Sequence, residues 1–327
     1  MNYIGSKQKL APWIKGVVDS VYVGKLEDAT FADIFAGTGQ VARHFKKYVK
    51  KVITNDLESY SFVLNSHYIG NTKPLDVVDV PLTKKVGVIS KQFSELGDMK
   101  RKYFTQNNAQ LIDGVRFSIE KLLTTNKISK EQYYWLMASL IEAADSVANT
   151  ASIYGAYLKE YKKTALKPLN FKLMPYEITN QENEIYQMDA NELVKKISGD
   201  ILYLDPPYNA RQYGANYHVL NKIIENKDFK SDKVTGLTEY NKSAYCKKDK
   251  VFETFEQLIK DAKFKYIFIS YNNEGLIAEK EFEDMLKKYG QYSLYKKEYK
   301  RFKADAKRPN QAPTTFEHLH VLTKDNI

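Results

Sequence analysis

Asp205-Pro206-Pro207-Tyr208 sets a carboxylate, two prolines and a phenol at four consecutive positions. Neither proline can donate to a β-ladder, so the chain must leave any sheet here with its carbonyls still able to accept. A carboxylate, a rigid turn and a flat ring held within a few residues suit a planar, amino-bearing substrate such as a nucleobase. Asp205 by itself would equally fit an ordinary turn after a strand. The preceding Ile201-Leu202-Tyr203-Leu204 is apolar without alternation, as in a parallel strand covered on both faces. Asp205 and Tyr208 are therefore expected just past the carboxyl end of a central strand, where open α/β sheets receive their ligands.

A second group of residues points to a nucleoside. Thr30 to Phe35 reads as a strand, residues 36–39 (Ala36-Gly37-Thr38-Gly39) as a tight glycine turn, and Val41, Ala42, Phe45 and Tyr48 recur at helical spacing. Glycines let a ligand approach the backbone closely. The three-glycine fingerprint of pyrophosphate binders is missing. Asp56 closes the next strand, about 20 residues on, the spacing at which an acid accepts ribose hydroxyls in such folds. Capping of the following helix is the alternative for Asp56. Asp33, Gly37, Gly39 and Asp56 together outline a pocket for an adenosyl ligand without a phosphate chain. Further along, Glu184 to Asp189 resembles another strand ending in an acid; Asp189 either meets an adenine amine or caps the helix expected from Ala190.

These segments resemble one known family. D-P-P-Y after an apolar strand is the catalytic motif of amino-methyltransferases acting on DNA bases. Asn2-Tyr3-Ile4-Gly5-Ser6-Lys7 and Phe35-Ala36-Gly37-Thr38-Gly39 make the chain look like the Dam-like, D12 class of adenine-N6 methyltransferases. The resemblance covers roughly the first 70 residues and then 185 to the end. It implies a Rossmann-like α/β sheet with helices on both faces, S-adenosylmethionine as methyl donor (leaving as S-adenosylhomocysteine) and double-stranded DNA as substrate. It implies Tyr3, Lys7, Asp33, Phe35, Gly37, Gly39, Asp56, Asp189 and Asp205 around the donor, with Tyr3 packing on it and Lys7 donating to its carboxylate. Asp205, Pro206, Pro207 and Tyr208 would be the catalytic residues. Asp at the head of the motif favours adenine, since many cytosine-N4 enzymes carry Ser there. A cognate restriction endonuclease is the implied functional partner. An RNA or protein-glutamine methyltransferase, or a DNA-binding homologue without activity, are the competing readings.

The elements that must position these groups follow. The 327 residues divide into a catalytic part, 1–70 and 185–327, and an inserted, mostly helical target-recognition region, 71–184, where the sheet pattern stops. In the insert, Ser129-Lys130-Glu131-Gln132 is a capping-box start for a helix with Leu136, Met137, Leu140, Ile141, Ala144 and Val147 on one face. Trp135 reads as core. Residues 226–250 read as a polar, Lys-rich loop, with His218 before it as a surface residue. Tyr266 to Tyr271 is a fifth buried strand, Glu279 to Tyr289 a helix, and Ser293 to Thr323 two strands joined by an excursion. His318 and His320 alternate on the last of these without a third ligand at metal spacing.

Net charge is +10, which suits a polyanion but also a Lys-rich composition in general. Nine Lys or Arg stand against two acids between Lys287 and Arg308, consistent with phosphate contacts. Cys246 is the single cysteine, so an internal disulfide is excluded and a reducing compartment expected. No charged-then-apolar leader or membrane-length apolar run is present, and the cytoplasm is the expected location.

Overall fold

A computed structural model describes residues 5–300 and 314–325. Tyr3, Arg308 and the tip of the excursion between the last two strands lie outside the described residues. The chain forms two compact units.

The first unit comprises Gly5–Leu57, Gln181–Gln212 and Lys242–Ile327. Its strands are β1 (Thr30–Asp33), β2 (Lys51–Asn55), β3 (Glu184–Tyr186), β4 (Ser198–Leu204), β5 (Lys263–Asn272), β6 (Gly290–Lys300) and β7 (Thr314–Lys324). Among the described residues they make one seven-stranded sheet in the order β3-β2-β1-β4-β5-β7-β6. The β1–β2, β2–β3, β1–β4 and β4–β5 pairs are parallel, whereas β7 runs antiparallel to both β5 and β6. The sheet grows outward from β1 through β2 to β3 and then, on the other side of β1, through β4 to β5. That reversal makes the carboxyl ends of β1 and β4 the switch point at which open α/β sheets leave a crevice. Opposite registers Phe31↔Ile201 and Asp33↔Tyr203 set the two strand ends side by side.

Ile201 to Leu204 are all buried, as the unbroken apolar run requires. Alternate residues feed opposite layers. Leu202, Leu204, Ile267 and Ile269 pack with Phe255, Leu258 and Phe282 from helices Val251–Asp261 and Glu279–Leu286. On the other face Phe31 stacks on Phe45 of helix Gln40–Phe45, ring centroids 4.1 Å apart. Each such side chain, once buried, contributes about 1.5–3 kcal/mol. The sheet therefore has helices on both faces, as the sequence implied.

The second unit includes Glu58–Asn180 and Tyr213–Asn241 and is mostly helical. Its two long helices, Gln106–Thr124 and Lys130–Ser146, begin at side-chain caps. Ser129 and Gln132 close the expected capping box: Gln132 N donates to Ser129 Oγ at 3.2 Å and Ser129 N donates to Gln132 Oε1 at 2.8 Å. Ile112, Val115, Ile119, Leu136, Leu140 and Ile141 meet in the core, and Trp135 is buried with its indole N–H on the Met174 carbonyl at 2.7 Å.

This unit is not bounded as the insert 71–184 was expected to be. It starts earlier because helix Ser59–Asn65 gives Tyr60, Val63 and Leu64 to the helical core, and it recovers chain later because helix His218–Glu225 adds Val219, Leu220 and Ile223. His218, expected at the surface, is 3% exposed, and its two ring nitrogens lie 3.0 Å from the carbonyls of Ala215 and Thr235. Part of the stretch read as a Lys-rich loop is anchored as well. The buried Arg101 guanidinium donates to the carbonyls of Ser231, Lys233 and Val234 at 2.6, 3.0 and 3.3 Å. Among the described residues no helix is long and apolar enough to cross a membrane.

Candidate active site

Asp205 follows β4 directly, where the prolines take the chain off the sheet. Its side chain is 18% exposed. Pro206 is buried, while Pro207 and Tyr208 are half-buried. The turn is fixed from the β5 side: Leu276 N donates to the Tyr208 carbonyl at 3.0 Å, and the Tyr208 ring meets Tyr271 edge-on at 6.1 Å. The motif is thus a rigid shelf with its ring held in place by aromatic packing.

Lys7 arrives at this shelf from the amino-terminal segment. Its Nζ donates to Asp205 Oδ1 at 2.8 Å and lies 3.3 Å from Glu317 Oε1. The same ammonium stands 5.9 Å from the centre of the Tyr208 ring. Where the resemblance implies a donor to the carboxylate of a bound molecule, the structure sets Lys7 between two carboxylates of the chain itself. Burial pushes the Asp205 carboxyl above its ordinary range, and Lys7 pulls it part of the way back through charge and hydrogen bond. Burial alone would lower the Lys7 ammonium, but Asp205 and then Glu317 outweigh that and hold it well above its ordinary value.

The glycine turn lies at the end of the neighbouring strand β1. Gly37 and Gly39 take φ values of 51° and 71°, the left-handed region that glycine enters without strain. Asp56, just past β2, accepts the Gly37 N–H at 2.8 Å. Asn55 ties the same region together: its side-chain amide donates to the carbonyls of Ile34 and Met188 at 3.1 and 3.0 Å and accepts Met188 N at 3.0 Å. Asp33 closes β1 and is 2% exposed. Burial, then the charges of Asp205 and Asp56, raise its carboxyl well above the ordinary value, against the pull of the Phe35 and Ala42 amides. Among the described residues its Oδ1 has no hydrogen-bond partner. Asp205 and Asp56 thus both act on Asp33 from the ends of the two strands that flank β1.

Asp189 and Phe35 lie around Tyr245. Phe35 meets its ring edge-on at 5.0 Å, and the Tyr245 hydroxyl donates to Asn191 Oδ1 at 2.7 Å. Asp189 accepts Asn191 N and Glu192 N at 2.9 and 3.2 Å, which is the capping role for helix Ala190–Leu193. Its carboxylate is exposed and retains acceptor capacity beyond the cap.

Glu317 and Asn55 were not found by sequence reasoning. Glu317 sits between Phe316 and His318 on a strand, where an acid reads as one more outward-facing polar residue. Asn55 is the last residue of β2, where an amide next to an acid carries no signal of its own in sequence. His318 and His320 are strand residues: His318 Nδ1 is 3.4 Å from Glu279 Oε2, and His320 Nδ1 is 2.9 Å from the Tyr292 hydroxyl. Among the described residues no group of three or more His, Cys, Asp or Glu is arranged to hold a metal.

A cluster of buried acids with one ammonium beside a proline-rigid shelf suits a ligand carrying positive charge next to a flat amine. Comparison with known sequences accords with that chemistry. Residues 3–285 match the profile described as D12 class N6 adenine-specific DNA methyltransferase. The chain is 49% identical over 332 residues to the Type II methyltransferase M.NlaIII of Neisseria lactamica, covering 99% of each. It is 38% identical over 318 residues to the Type II methyltransferase M.CviAII of Paramecium bursaria Chlorella virus 1, covering 93% of each. It is also 34% identical over 350 residues to the Type II methyltransferase M.FokI of Planomicrobium okeanokoites, covering 99% of this chain and 53% of that one.

Proposed function

The chain belongs to the D12 class of N6 adenine-specific DNA methyltransferases, and from that premise we propose how its residues methylate adenine at a specific DNA site. The observation that carries the proposal is the partly exposed Asp205 side chain at the end of β4, adjoining the buried Asp33 at the end of β1.

The exocyclic amine of adenine is a poor nucleophile because its lone pair is delocalised into the ring. Asp205 accepts one of its N–H groups and the Pro206 carbonyl the other. Holding both hydrogens turns the nitrogen lone pair out of the ring plane. The gain is orientation together with a negative charge beside a nitrogen that becomes positive as the N–C bond forms. The proton then lost by that nitrogen leaves along a hydrogen bond already directed at Asp205. Pro207 keeps the turn rigid and Tyr208 stacks on the base. The adenine must leave the duplex to reach this shelf, at an unstacking cost of a few kcal/mol that stacking on Tyr208 offsets.

S-adenosylmethionine supplies an electrophilic methyl on a sulfonium when bound, and the residues present fit it. Asp33, whose buried Oδ1 has no partner among the described residues, would take the positively charged amino end. Asp56 takes the ribose hydroxyls, Gly37 and Gly39 let the molecule approach the backbone, and Phe35 and Asp189 flank its adenine. The mostly helical unit supplies target recognition. The relatives' Type II names support a functional pairing with a restriction endonuclease, and a DNA substrate supports a cytoplasmic site of action.

The test is direct. Plasmid DNA from a host lacking adenine methylation is incubated with the protein and S-adenosylmethionine, then digested to nucleosides. N6-methyladenine is expected with wild type and none with Asp205→Ala, whose DNA binding is retained. Unchanged turnover by Asp205→Ala removes the central role from this carboxylate.

A further inference from the structure

Glu317 has no part in the reaction as derived so far, yet it is the most deeply buried member of the charged cluster. Its side chain is 1% exposed, against 5% for Lys7 and 18% for Asp205. A carboxylate this deep is costly unless it is compensated. Burial raises its carboxyl, Lys7 lowers it, Asp205 raises it again, and the Ser270 hydroxyl stabilises its charged form. Ser270 Oγ in turn accepts the Tyr203 hydroxyl at 2.8 Å, which leaves its own O–H for Glu317. Tyr203 lies on β4, two residues before Asp205, Ser270 lies on β5 and Glu317 on β7. Tyr203, Ser270, Glu317, Lys7 and Asp205 thus form one polar cluster, hydrogen-bonded at Tyr203–Ser270 and Lys7–Asp205 and joined by the Lys7–Glu317 ion pair, that returns to the strand it left.

An isolated Lys7–Asp205 pair would be neutral, and a neutralised carboxylate is a weak acceptor for an amine N–H. A second carboxylate on the same ammonium leaves the cluster with net negative charge beside the reacting nitrogen. We propose that Glu317 is a positioning residue for methyl transfer, sharing the Lys7 ammonium so that the ionised Asp205 carboxylate is not fully neutralised by its ion pair and remains a strong acceptor. This rests on the reading of Asp205 as the acceptor for the adenine amine. The other titratable groups around the cluster are Tyr203 and Tyr208 against Lys7 and Asp33 against Asp205.

The experiment measures kcat, KM for both substrates and the pH profile of kcat, using unmethylated plasmid DNA and tritiated S-adenosylmethionine. Glu317→Gln is expected to lower kcat by about 10- to 100-fold while either KM changes by less than about threefold. Its acid limb is expected at lower pH than in wild type, because Asp205 loses a like charge and gains Lys7 alone. Glu317→Asp, which restores the charge, should return the limb and recover part of kcat. In a Lys7→Gln background Glu317→Gln should cause no further loss, since no cation remains to be shared. A folded Glu317→Gln with wild-type kcat and acid limb overturns the proposal, as does an equal fractional loss in both backgrounds. Should Glu317→Gln not fold, Glu317→Asp against wild type and the double variant against Lys7→Gln decide the matter. Asp205→Asn is run in parallel: turnover at the wild-type rate sinks the reading of Asp205 itself, whereas an inactive Asp205→Asn beside a wild-type Glu317→Gln sinks this inference alone.

Discussion

The Asp56 carboxylate accepts the backbone N–H of Gly37 at 2.8 Å, joining the residue after β2 to the glycine turn after β1. One carboxylate oxygen is thereby committed to the shape of the turn to which the ribose role proposed for Asp56 belongs.

Asp56→Ala should therefore weaken the methyl donor and the fold together. The lost ribose contact predicts about 10- to 100-fold weaker S-adenosylmethionine binding by calorimetry, and the freed amide a loss of about 1–2 kcal/mol in stability. Unchanged affinity would mean that another group carries the ribose.

Asp33 predicts the opposite sign for stability. Its carboxyl is raised well above the unfolded value by burial and by Asp205 and Asp56, so the native state holds this proton more tightly than the unfolded state. Stability from this group is complete at pH below the unfolded value and is lost as pH rises through the folded one. Asp33→Asn should thus raise the melting temperature at neutral pH while weakening donor binding. A variant melting below wild type at neutral pH, yet binding the donor normally, would contradict both halves.

Turnover should also report the Asp205 carboxyl. Burial raises it above the ordinary carboxylate range, Lys7 pulls partly against this, and the ionised form is the stronger acceptor and the one that offsets charge developing on the amine. Activity is then full above its folded value and declines as pH falls through it, so the acid limb of kcat should lie above the ordinary Asp value of about 3.9. A limb at or below the ordinary value would show that Asp205 is not the titrating group.

Edge-on packing against Tyr271 holds the Tyr208 ring that is proposed to stack on the base. Tyr208→Phe keeps a ring and should hold most of kcat/KM. Tyr208→Ala should lose about 10- to 100-fold, the scale of base–aromatic stacking. Equal losses in the two variants would point to the hydroxyl instead.

How much of this could be read from the sequence depends on the range over which each signal acts. β4 was legible because four buried residues in a row leave no alternation, and the helix after Ser129 because its capping box spans only four positions. The Asp205 motif was legible because its chemistry is contiguous. Glu317 was not, because its meaning comes from a lysine near the other end of the chain and from β7 running antiparallel beside β5. The edges of the helical unit were hidden for a similar reason. The apolar faces of helices Ser59–Asn65 and His218–Glu225 are plain in sequence, but nothing local states which core they enter.

That last feature governs how the protein can be taken apart. The chain passes between the two units after Leu57, Asn180, Gln212 and Asn241. No single scission liberates either one, and a gene segment for the helical unit alone would have to splice stretches that translation delivers separately. Anyone transplanting that unit between relatives would have to move helix His218–Glu225 along with the longer stretch, or leave the graft with an open flank.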